Sequence, residues 1–271
     1  MTGTVPLDTT TLTCVFAVCR ARGAKAPEGV SGHAGGGALR TLSAGRLTAV
    51  VQHVPAAGFS QEALRERLAD RRTLESCARA HHAVVSAVAA VADTVPLPLA
   101  TLYLDDERAR SALVGDEQRF LDALERIAGR VEWGVKVYAA APRARPAQPR
   151  TPSAPAPTPS PGPGAGRAYL ERVRSRRQEQ DRFRDAALRT AERVDSAARA
   201  VAVAARRLRA HGPEATGGHR WQVLNAAYLL PAGQERRLRE ALAPYRRVPG
   251  VELELSGPWV PYSFAEGSAP A

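Results

Sequence analysis

Four groups of residues have types and spacings that invite chemistry: the glycine-rich stretch G-V-S-G-H-A-G-G-G at residues 29–37, the adjacent His81 and His82, the acidic run Asp105-Asp106-Glu107, and three cysteines. Bare backbone amides in a glycine-rich loop can bind phosphate. The stretch has no lysine followed by Ser or Thr as a P-loop requires, and Arg40 stands where a dinucleotide fingerprint starting at Gly35 needs its third glycine. It reads as a flexible loop between strands. Neighbouring helical residues point about 100° apart, so His81 and His82 cannot face one metal, and neither has a histidine four residues away. His81 is expected on an apolar helix face, bonded to a backbone or neighbouring polar group, with His82 beside it. The acidic run reads as a helix start capped by Asp105 rather than an acid–base pair. Cys14 and Cys19 are five apart on one predicted strand, which puts them on opposite faces, and Cys77 belongs to a helix. An odd count with this spacing suits neither a bridge nor a metal and implies structural thiols in a reducing compartment. No G-x-S-x-G elbow occurs. No catalytic residue, cofactor site or metal site is predicted, and the chain is not expected to be an enzyme.

These residues sit on elements legible from periodicity. Residues 12–19 read as a first strand, and 39–42 with 47–54 as a hairpin turned at Gly45. Ser60 is a plausible N-cap, with Glu62 in the first helical turn and a helical region running to about residue 92. Leu74, Cys77, Ala78, His81, Val84, Val85, Val88 and Val91 fall three or four apart along one apolar face. Residues 95–103 form the next strand, with Pro96 and Pro98 implying an edge or irregular start. A helix carrying Phe120, Leu121, Leu124, Ile127 and Ala128 ends at Gly129. Val131, Trp133, Val135 and Val137 alternate as the strand that closes an α+β domain over residues 1–138.

Residues 139–166 are so rich in proline that neither helix nor sheet can hold them, and they are expected to form a semi-rigid linker. A C-terminal α+β domain is predicted over 167–271. It comprises a long arginine-rich helix over about 167–210 ended by His211-Gly212-Pro213, a strand over 221–230, a helix over about 234–242, and a last strand with an aromatic tail. In that strand Val251, Leu253 and Leu255 alternate with Glu252, Glu254 and Ser256, and Gly257-Pro258 is expected to end the ladder. Trp259, Tyr262 and Phe264 follow outside any regular element and must pack on something, either sealing an edge of their own domain or docking a partner. With Trp133 they are the candidate packing or partner-contact residues.

The 250–264 segment, G-V-E-L-E-L-S-G-P-W-V-P-Y-S-F, resembles the C-terminal signature of the gas vesicle GvpL/GvpF family. The resemblance is shared by A-R-A-H-H-A-V-V and V-P-L-P-L-A-T-L-Y within 78–103, by R-V-E-W-G-V-K-V-Y at 130–138, and by N-A-A-Y-L at 225–229. It implies a noncatalytic accessory protein for building gas vesicles, the hollow protein shells that give some microbes buoyancy. The implied partners are the major shell subunit, met during nucleation or growth, and other accessory proteins. It also implies a ferredoxin-like variant for the C-terminal domain.

Composition bounds the alternatives. The 271 residues suit two modest domains, and 44% hydrophobic content fits globular cores. The longest apolar run, 83–92, is about half a bilayer span, and the N-terminus has neither the basic nor the apolar region of a secretory signal, so a soluble cytoplasmic protein without membrane contact is expected. A net charge of +11 raises nucleic acid as an alternative partner. Residues 167–209 carry thirteen arginines against six acids. The acids are interleaved as on a solvated helix, and no zinc-finger, RNP-like or helix-turn-helix cue accompanies them.

Overall fold

The computed structural model describes residues 11–21, 25–140, 165–210 and 220–265. Helices and two sheets are mixed along the chain, and internal contacts divide it into two units: residues 1–132 with 257–271, and residues 133–256. No helix among the described residues is long and apolar enough to cross a membrane.

The first unit is built on β1 (Thr11–Arg20), β2 (Arg40–Ala44) and β3 (Leu47–Pro55). These are followed by α1 (Ala56–Phe59), α2 (Gln61–Ala69), α3 (Arg71–Ala89), β4 (Thr94–Pro96), β5 (Leu102–Tyr103), α4 (Asp106–Gly115) and α5 (Glu117–Ile127). The sheet runs β2-β3-β1-β4, with β5 also on β1, and every pairing is antiparallel. The hairpin turns at Gly45, whose φ of 59° is left-handed, as the sequence implies. β1 is the central strand and its run C-V-F-A-V-C is buried throughout, the signature of a strand covered on both faces.

Register in β1 overturns one expectation. Pairing with β3 shifts between Val15 and Ala17, and the extra residue resets the alternation. Cys14 before the slip therefore shares a core cluster with the extra residue, Phe16, and with Ala17 and Cys19 after it, rather than the two cysteines facing apart. All three cysteines are buried and free. The helical region over 60–92 is also not continuous. Ser60 caps α2 as expected, accepting from the Ala63 amide at 3.3 Å, but Asp70 then caps a separate α3 by accepting from the Thr73 amide at 2.8 Å. The strand expected over 95–103 is two short pieces, because Pro98 interrupts the ladder and Ala100 adopts a φ of 63°.

The second sheet has the order β7-β8-β6-β9. Its strands are β6 (Arg130–Ala140), β7 (Ala204–Arg207), β8 (Arg220–Pro231) and β9 (Val251–Trp259), accompanied by α6 (Ala165–Arg199) and α7 (Glu235–Leu242). A four-residue helix, α8 (Tyr262–Ala265), follows β9. The alternating strand with Trp133, Val135 and Val137 thus does not close the first sheet; it lies between β8 and β9 of the second. Alternation identifies a strand with a buried face, but not the sheet it joins.

The arginine-rich helix stops at Arg199, well before residue 210, and residues 204–207 pair antiparallel with β8. The expected helix end at 211–213 lies outside the described residues, as does most of the expected linker over 139–166. Ala187, Ala191, Val194 and Ala198 form a buried stripe in the second half of α6, at the spacing of one helix face. Nearby, Asp195 accepts from the Tyr228 hydroxyl at 2.5 Å, Arg207 Nη2 at 2.9 Å and Arg199 Nε at 3.0 Å. Burial opposes ionisation, yet these donors hold the Asp195 carboxyl below its usual range. They tie α6, β7 and β8 together.

Two further expectations about the tail are corrected. The ladder does not end at Gly257-Pro258, since β9 runs on to Trp259, and Tyr262 and Phe264 belong to α8 rather than to irregular chain. Contacts group the residues after Ser256 with the first unit, not with the segment that precedes them.

Candidate functional site

Each of the chemically suggestive groups is occupied structurally. The glycine-rich loop folds onto β3: Gln52 accepts from the His33 amide at 2.8 Å and donates to the Gly37 carbonyl at 2.8 Å. A Cβ at Gly36 would meet the Gln52 amide group, so a larger residue there would push that side chain out of its hydrogen bonds. The loop also sends His33 into the core, where its ring lies 5.1 Å from Phe16. Phe16 is flanked on its other contact by His81 at 5.3 Å. Periodicity placed His81 on the apolar face correctly, and its Nε2 lies 3.1 Å from the Leu97 carbonyl, as a donor would. Burial pushes the His81 pKa down. Nothing in the spacing marked His33 as a core residue, because a lone histidine among glycines carries no periodic signal.

The acidic run divides its work. Asp105 caps α4, accepting from the Arg108 amide at 2.7 Å, as expected. Asp106 Oδ1 accepts from Arg40 Nη2 at 2.5 Å and Thr13 Oγ1 at 2.7 Å, with His53 Nε2 at 3.2 Å. The Arg40 guanidinium leads these partners in holding the Asp106 carboxyl down to about 2. An ion-pair hub that joins three strands to α4 is poorly suited to accept and release a proton near neutral pH. Among the described residues no group of three His, Cys, Asp or Glu side chains could hold a metal.

A concave surface occurs where the tail meets α3 in the first unit. A groove of about 440 Å³ is walled by His82, Ser86 and Ala89 on α3, Ile127 at the end of α5, and Trp259 with Val260 on the tail. Trp259 stands edge-on to His82, ring centroids 5.5 Å apart at 65°, and remains 44% exposed. Tyr262 lies on the other side of His82 at 6.2 Å. Desolvation pushes the Tyr262 hydroxyl up to about 12. The polar groups of the groove have local duties: Asp93 accepts from the Gly129 amide at 3.0 Å, Ser86 Oγ lies 3.3 Å from His82 Nε2, and Arg130 bonds the Arg126 carbonyl. What remains is mostly apolar and aromatic. The tail is held by Glu132, whose carboxylate accepts from the Ser263 amide at 2.8 Å and the Ser263 hydroxyl at 2.7 Å.

The four candidate contact residues therefore separate. Trp133 is 1% exposed, with the Arg239 guanidinium 5.4 Å from its ring centroid, and Phe264 is 7% exposed. Both serve packing. Tyr262 is half-buried, and Trp259 alone of the four is exposed.

The family model for "Gas vesicle synthesis protein GvpL/GvpF" matches residues 13–266, nearly the whole chain. This chain belongs to the GvpL/GvpF family. Gas vesicle protein L of Streptomyces sp. (strain CB03234) is 40% identical over 259 residues, covering 96% of this chain and 94% of that protein. The crystal structure of GvpF from Anabaena sp. PCC7120 superposes with a TM-score of 0.62 at 15% identity, covering 95% of this chain and 97% of that one. GvpF from Microcystis aeruginosa gives 0.60 at 13% identity over 95% and 100% of the two chains. At such identities the two crystal structures establish a shared GvpL/GvpF fold, and the Streptomyces relative carries the gas vesicle association.

Proposed function

We propose that this protein is a noncatalytic accessory factor of gas vesicle assembly that contacts the major shell subunit through the groove beside Trp259. Family membership supplies the gas vesicle setting. The observation that carries the contact is the half-exposed Trp259 at the lip of an apolar groove whose polar groups are internally engaged. Aromatic side chains at the rim of a pocket are the usual anchors of protein interfaces, since they bury a large area at low cost in side-chain entropy. A polymerising, apolar shell subunit offers matching surface, and such a contact would persist in salt because little of it is ionic. A location in the cytoplasm and at the vesicle completes this reading.

Co-purification with the major shell protein in moderate salt is the test. The wild-type chain is expected to retain the shell protein, and Trp259→Ser to lose at least about tenfold of that retention with an unchanged thermal midpoint, as a central hot-spot residue would. Consistent failure to co-purify, together with normal vesicles in a deletion strain, would remove the proposal.

A further inference from the structure

The first half of α6 buries no side chain fully among the described residues. No described side chain from Leu170 to Ala186 is buried, whereas the second half of the same helix is anchored by the Ala187-Ala191-Val194-Ala198 stripe. An isolated run of that length buries no face to stabilise it and is marginal as a helix in water. Its surface is also patterned. With 3.6 residues per turn, Leu170, Val173, Arg174, Arg177, Arg184 and Leu188 fall within one arc of the helix. The apolar members are exposed, Leu170 at 55%, Val173 at 39% and Leu188 at 40%. Arg174 and Arg177 are exposed and make no ion pair among the described residues. The Arg184 guanidinium sits 3.4 Å from the centroid of the half-exposed Trp221, which widens the apolar strip at that point. Two turns beyond Leu188 the arc is closed by the unit's own structure, where Asp195 is bonded by Tyr228 and Arg207.

We infer that the 170–188 stripe of α6 is a docking surface for an acidic amphipathic helix of a protein partner. Charge sets the sign of the partner. The second unit has 23 Lys and Arg against 11 Asp and Glu, a surplus of 12, while the first has 15 against 16. The whole excess of the chain therefore resides in the unit that carries the stripe. Pattern sets the kind of partner. Leu170 with Val173 at one end of the stripe and Leu188 at the other, the outermost pair about five turns or 27 Å apart, match the anchors of a helix laid alongside. They offer nothing to a phosphate backbone. The Trp221 ring is already covered by Arg184, which closes it to a stacking base. This surface is separate from the Trp259 groove and does not depend on what that groove binds.

The experiment uses the full-length protein and three fluorescent probes at about 150 mM salt: a designed acidic peptide with leucines at helical i, i+4 spacing, a scrambled peptide of the same composition, and a duplex DNA of similar charge. Binding is read by anisotropy. The patterned peptide is expected to bind at least about tenfold more tightly than the other two, since only it offers both charge and register. The double variants R174E/R177E and L170S/L188S should each weaken it about tenfold, with unchanged circular dichroism and thermal midpoint, while Trp259→Ser should not. The inference is overturned if the scrambled peptide or the DNA binds as well, if L170S/L188S binds normally, if Trp259→Ser is the variant that abolishes binding, or if no probe binds.

Discussion

His81 shows how one buried side chain can set the acid sensitivity of the first unit. Its ring lies against Phe16 with no partner for Nδ1 among the described residues, and burial lowers its pKa in the native state. Below the unfolded value of about 6.5 the unfolded chain binds a proton that the native state resists. Stability is therefore intact above about pH 6.5 and falls as pH drops, at a limiting slope of about 1.4 kcal/mol per pH unit. Thermal midpoints between about pH 7.5 and 5 should follow this decline, and His81→Leu should flatten it; equal slopes would refute the assignment. Asp106 acts in the same direction at lower pH. Its carboxyl is held down chiefly by Arg40, so its contribution is present above about pH 4 and is lost as pH falls toward about 2. In Asp106→Asn that second acid step should disappear. The helical spacing around His81 revealed its burial, but neither Phe16 nor His33 lies near it in sequence, so the stack itself was invisible before the fold.

Single elements depend on caps and close approaches that can be removed one at a time. Asp70 separates α2 from α3 and closes the first turn of α3 through the Thr73 amide and hydroxyl. Asp70→Ala should cost about 1 kcal/mol in denaturant unfolding, the usual loss for an N-cap. Gly36→Ala should displace the Gln52 side chain and loosen the His33 loop, costing about 1–3 kcal/mol for the stranded polar groups. Element types were largely readable: the central strand, the hairpin at Gly45, α5 and the Ser60 and Asp105 caps all follow from periodicity and cap chemistry. The failures share a cause. Arginine continues from α6 through β7, so charge pattern could not signal the change from helix to strand at Ala204. A bulge inside β1 reverses the faces without altering composition, and Asp70 in a charged, helix-compatible run gives little warning of a break.

At the scale of the molecule, the uneven charge of the two units has a measurable consequence. Exposed cations concentrated in one unit bind a charged resin better than the same number balanced by acids. R174E/R177E should therefore elute from a cation exchanger at distinctly lower salt than R71E/R72E, which reverses two charges in the near-neutral unit. Equal shifts would mean that surface charge is effectively uniform. The surplus of arginine and its concentration over 167–209 are plain in the sequence, but the bounds of the unit that carries it are not. The division of the chain falls inside β6 and β9 rather than at a proline-rich boundary, and it assigns the residues after Ser256 to the unit begun by β1.

That assignment bears on the order of events at the ribosome. The Glu132–Ser263 clamp and the Trp259 wall require residues synthesised after all of 133–256. The earliest-made strands must therefore wait, with part of their apolar surface uncapped, while the intervening unit emerges and folds. A nascent chain halted near residue 250 would hold a nearly complete second unit and an unfinished first one. The Trp259 surface can thus form only after residues 133–256 have been made, which keeps an adhesive patch from forming on a chain that lacks the intervening unit.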